Sequence, residues 1–180
     1  MTDPFFQVDW QRIEQVSELF QNRIIELLQE SRGVRIEDAI SGAAAVAGCQ
    51  LLRSVGIKFD GLEPGSMILL EEVNELGIQH LGFLSAICDA FEIDPTTGWT
   101  DPIPENNRPG KTISELTGLL EIPFLDLCAE ENIDDELRPR LAVFATAKLI
   151  KAGEEILDPN IGKAIALASL VAGSKTVPHE

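Results

Sequence analysis

The chain contains no tyrosine, and only two methionines, two tryptophans, two histidines and three cysteines among 180 residues. Each shortage excludes something. Two histidines cannot build a His-rich metal cluster. Cys49, Cys88 and Cys128 are odd in number, far apart and each set in an apolar helical segment. That pattern suggests buried reduced thiols in a reducing compartment, not a disulfide framework or a zinc site. Positive charge is also scarce: 14 Lys and Arg stand against 30 Asp and Glu, a net charge of −16. Phosphate backbones and anionic membranes are bound mainly by Lys and Arg, so neither nucleic acid nor a membrane is an expected partner. The longest uncharged run, Ala39 to Leu52, has 14 residues, short of the roughly 20 that span a bilayer. The opening MTDPFFQVDW has no basic stretch and no long apolar core, so no secretion signal is expected and the location reads as cytoplasmic. Gly-rich phosphate loops, G-x-S-x-G elbows and H-E-x-x-H are all missing.

What is present is helical periodicity. Trp10, Ile13, Val16, Phe20, Ile24, Leu27 and Leu28 recur at spacings of three and four, predicting a helix over 9–32 with Asp9 as its cap. A second helix is expected from Ile36 to Val55; its centre, SGAAAVAG, has almost no side-chain bulk, as in a helix that a neighbour approaches closely. A third is expected over 66–91, with Leu69, Val73, Leu76, Phe83, Leu84, Ile87 and Phe91 on its apolar face. Four prolines exclude regular structure from most of 94–110. Thr112 and Glu115 form a capping box, and Pro123 predicts two short helices, 113–120 and 123–130. Two more helices follow, to about Ile156 and from Pro159 to about Lys175. No strand-like alternation occurs.

The expected fold is therefore all-α: a compact bundle of five to six main helices in one domain, 1–180. AAVAGCQLLRSVG followed by EPGSMILL echoes AVFATAKLIKAG followed by DPNIGKAI. This suggests two three-helix pseudo-repeats joined by the Pro-rich loop at about 94–110. Charge is uneven too. Residues 1–137 carry 26 acidic and 8 basic side chains, while residues 138–175 carry three and six. A basic hairpin beside an acidic body can dock within the chain or across a subunit interface, or simply form a solvated face, the reading preferred here.

Four features bear on function. His80 falls in the middle of the third helix's apolar face, as a ligand or base facing a cavity or as a neutral imidazole satisfied by a carbonyl. Trp99 lies in the Pro-rich loop, as a plug on the bundle or the wall of a site for a partner or small apolar ligand. Glu72 and Glu75 are three apart on one helix flank and can share a hard cation. The stretch LLEEVNEL resembles the E-x-x-E motif of the all-α NTP pyrophosphohydrolases, which implies an Mg²⁺-dependent hydrolase using Glu72, Glu75 and Asp89. That family's second motif is E-x-x-D; here Ala86 stands in place of its Glu. On an unbroken helix Asp89 lies about 21 Å from Glu75. The fourth feature is TISELTGLLEIPFLDLCAEEN, which resembles a helix-turn-helix but has no Lys or Arg among 123–132 to meet phosphates.

No convergent catalytic set is visible. The expectation is a non-enzymatic, acidic helical interaction or scaffold module without a cofactor. Its partner would be a second copy, as a homodimer, or another protein.

Overall fold

The computed structural model describes residues 9–93 and 103–179. Six α-helices account for most of them: α1 (Trp10–Leu28), α2 (Ile36–Ser54), α3 (Glu71–Ala90), α4 (Ile113–Glu130), α5 (Arg138–Ala152) and α6 (Pro159–Gly173). The described residues form no strand beyond two isolated bridges. The chain is an all-α bundle, and one hydrophobic core draws on all six helices.

α2 is the axis. Every residue from Asp38 to Leu52 is buried, and the helix packs against α4, α5 and, most extensively, α6. Small residues make that possible. A Cβ on Gly48 would lie 2.3 Å from the Leu170 carbonyl oxygen, and one on Gly173 would lie 2.2 Å from the Ala45 carbonyl oxygen. The two backbones touch, so the two small-residue segments are spent on each other. Inside this seam the Ser41 and Ser169 hydroxyls bond at 2.8 Å, which satisfies two polar groups that would otherwise be costly to bury. Around the axis, α1 contributes Ile13, Val16, Phe20 and Ile24, with the Phe20 ring 4.6 Å from that of Phe124 on α4.

Several boundaries differ from expectation, each for a local reason. α1 stops at Leu28, four residues early, because Glu30 and Gly33 close a tight turn with Gly33 at φ +99°. α3 begins at Glu71 rather than near Ser66, because residues 65–68 pair instead with 175–177. α5 starts at Arg138 and stops at Ala152, before Ile156. Most notably, α4 runs through Pro123 as one helix. Its buried residues Leu116, Leu120, Phe124 and Leu127 lie on one stripe that spans the proline. Burial along that stripe outweighs the roughly 3 kcal/mol that an interior proline costs. The Pro123 carbonyl also accepts a hydrogen bond from Arg23 on α1 at 3.1 Å.

α3 and α4 end alike, in C-x-x-x-(E/N)-I-D. Glu92 and Asn132 take the left-handed conformation, and the Ile93 and Ile133 N–H groups each donate back to the Cys88 and Cys128 carbonyls at 2.8 Å. This is a Schellman closure without glycine.

Three helices precede the Pro-rich segment and three follow it. Exchanging the halves, so that α1, α2 and α3 take the places of α4, α5 and α6, maps most helix interfaces onto one another. α1·α5 becomes α4·α2, α2·α6 becomes α5·α3, and α2·α3 becomes α5·α6. The correspondence is incomplete: α1·α2 has no comparable α4·α5 interface, and EPGSMILL lies in the connector before α3 whereas DPNIGKAI opens α6.

Candidate functional site

α3 carries most of the residues singled out from the sequence, and it is unbroken from Glu71 to Ala90. Glu72 and Glu75 are exposed near its start and Asp89 is exposed at its end. The helix keeps Asp89 about 21 Å from Glu75, and no set of three metal-ligating side chains converges among the described residues. The structure does not bring the three carboxylates together.

His80 is half-buried. Its Nδ1 lies 3.0 Å from the Leu76 carbonyl oxygen one turn earlier, where a protonated Nδ1 donates. Burial lowers its pKa below 6.5; the Leu76 carbonyl opposes this, and the nearby Arg140 charge adds to it. Trp99 lies outside the described residues. The far end of its segment is fixed by Asp38, whose carboxylate accepts the Gly110 and Lys111 N–H groups at 2.6 and 3.1 Å. Beside that end, Ile103, Pro109, Ile113, Ile165 and Ala172 line an open cleft of about 270 Å³.

The three cysteines are buried and unpaired. Burial raises all three thiols, Cys88 to about 11 and Cys128 to about 12, which suppresses the thiolate form that a nucleophile needs. The basic stretch is turned inward in part. Lys148 on α5 binds Glu18 of α1 at 2.6 Å with Glu14 at 3.7 Å, and Lys163 is fully buried within α6. Charge asymmetry is thereby partly resolved within the chain, where a solvated face was the preferred expectation.

The feature that sequence reasoning missed is the α2–α3 connector and the start of α3. Met67 is 81% exposed, Ile78 71%, Leu69 70% and Leu62 46%. Leu69 was expected on α3's inner face; it lies outside because the helix starts two residues after it. The stretch 58–78 also carries Asp60, Glu63, Glu71, Glu72 and Glu75, all exposed, and one basic residue, Lys58, with Lys175 on the segment paired to it. Ile78 shares α3's outer face with Glu71 and Glu75.

The segment after α6 holds this connector from behind. The Ile68 N–H donates to the Lys175 carbonyl, Val177 N–H to Ser66, and Gly65 N–H to Val177, each at 2.8 Å. Val177 and Pro178 are buried. Farther along, the His179 N–H donates to Glu121 Oε2 at 2.8 Å, and the His179 carbonyl accepts from Arg53. Glu121 is fully buried on α4; its other oxygen accepts from Arg53 Nε at 2.9 Å and Gln50 Nε2 at 3.3 Å. The His179 ring lies over Gly118, where an added Cβ would come within 3.3 Å of it.

No known family, curated protein or solved structure matches this chain. Chemically, the connector and early α3 offer exposed apolar side chains, carboxylates along the same stretch and a backbone pinned by hydrogen bonds to residues 175–177. Such a surface can bury apolar area against a partner while steering it by charge.

Proposed function

We propose that this protein is a non-enzymatic protein-binding module that docks partners on the α2–α3 connector and the outer face of early α3. The observation that carries the reading is the run of four large, exposed apolar side chains, Leu62, Met67, Leu69 and Ile78, within a stretch bearing five carboxylates and one cation. Exposed single apolar residues are ordinary, but four in one short stretch of chain, two of them on or beside a backbone held by hydrogen bonds, suit an interface. The partner class is a protein segment that combines apolar anchors with Lys or Arg. A second copy is disfavoured at this surface, since two such faces would bring like charge together. The small-residue face that would suit a dimer is consumed by the α2–α6 seam.

The test is panning a displayed peptide library against the full chain, with the Met67→Asp/Leu69→Asp double variant as the counter-target. Selected peptides are expected to pair apolar residues with Lys and Arg. They should bind the double variant at least about tenfold more weakly, as expected when two anchors are lost. Binders that tolerate the double variant, or no binders above background, would retire this surface.

A further inference from the structure

No residue between Arg53 and Glu72 is buried. The connector has no core of its own; apart from local turns at 59–62 and 63–66, it is held by the pairing with residues 175–177 and by the Gly65 turn. Gly65 sits at φ +80° with an added Cβ 2.1 Å from Ser114 Oγ. The pairing segment is in turn fastened by a charged clamp: Glu121 takes the His179 N–H and Arg53 takes the His179 carbonyl.

We propose that residues 175–179 form a latch that switches the docking surface. Docked, they hold the connector so that Met67 and Leu69 are displayed together; released, they leave it without a fixed shape and the surface is lost. This rests on the docking reading above.

Two features make the latch releasable without unfolding the bundle. The first is that the clamp binds main chain. When His179 leaves, Glu121 and Arg53 keep each other and Gln50, and water takes the place of the departed N–H and carbonyl. Arg53 already lines an open cleft with Ser54 and Arg138. The second is that His179 itself is only half-buried, so its ring can leave α4 without opening the core. The α2–α6 seam needs neither feature, because its contacts lie at Gly48, Gly173 and the Ser41–Ser169 pair.

Amide exchange on the full chain, followed residue by residue by NMR, tests this. Two variants open the latch from opposite sides. Val177→Asp places a carboxylate in a buried site. Gly118→Leu drives a side chain into the His179 ring while replacing an exposed helical glycine with a better helix former. In both, the Gly65, Ile68, Val177 and His179 amides are expected to exchange at least about tenfold faster, with α2 and α6 unchanged. Faster exchange at Val177 and His179 alone would overturn the proposal, because the connector would then not depend on the latch. Uniform acceleration through all helices in both variants would overturn it too.

The peptides selected above supply the second readout. Wild-type binding with at least about tenfold loss in both variants supports the latch, and equal binding by all three refutes its control of the surface. If no peptide binds the wild type, the docking reading fails, whatever the exchange experiment shows about the connector.

Discussion

His80 contacts the carbonyl of its own helix and lies within reach of the Arg140 charge on α5. With its pKa below 6.5, the unfolded chain takes up the proton more readily than the folded one. The neutral imidazole therefore contributes stability that is present above about pH 6.5 and lost as the pH falls through the folded value. In urea unfolding, wild type should exceed His80→Gln by a margin that shrinks between about pH 7.5 and about pH 5.5. A margin that does not change with pH would show that the imidazole is not held neutral. The position of His80 on the helix wheel was legible in the sequence, because a periodicity of 3.6 is a local property. Glu121 was not. It reads as part of a turn beside Pro123, and its partners Arg53 and His179 lie 68 and 58 residues away with nothing local to link them.

At the level of elements, segment identity was legible and several ends were not. A capping box announces the start of α4, and Asp158–Pro159 announces the start of α6. The Schellman closures at Glu92 and Asn132 lack the glycine that would have marked them. Pro123 misleads because the cost of a proline is local, whereas the burial that offsets it runs from Leu116 to Leu127 along α4 against the rest of the core. The α2–α6 seam yields a sharp pair of expectations. In Gly173→Ala the new methyl meets Ala45 backbone at 2.2 Å, and backbone cannot swing aside. The loss should be about 3 kcal/mol, at the upper end of overpacking penalties. Gly82→Ala, on exposed α3 with nothing within 4 Å of the new Cβ, should instead gain about 1 kcal/mol from helix propensity. Urea midpoints of the two variants measure both, and a neutral Gly173→Ala would mean that the helices are not in backbone contact.

Across the whole molecule, a net charge of −16 on 180 residues sets carboxylate against carboxylate over much of the surface. Ion pairs such as Lys148–Glu18 and Lys111–Glu30 relieve only part of this. Salt should therefore stabilise the chain: the thermal midpoint is expected to rise between about 10 mM and about 300 mM NaCl as the screening length shortens. A fall would mean that the ion pairs outweigh the repulsion. The all-α class was legible because hydrophobic period and composition act over the entire chain. The proposed docking surface was not, since the place of Met67 and Leu69 outside α3 goes with a segment more than a hundred residues later pairing with the backbone of 65–68.

The anchoring of the Pro-rich segment carries a final consequence. Ile93 is tied back to Cys88 on one side, and Gly110 and Lys111 are tied to Asp38 on the other. Covalent continuity between those two knots is not the only thing that keeps the halves together. α2, from the first half, is wrapped by α4, α5 and α6 of the second, so severing the chain between 94 and 102 leaves two polypeptides that must surrender a common interior before they can part. The molecule is in this sense a two-piece assembly written as one chain, suited to reconstitution from separately made fragments.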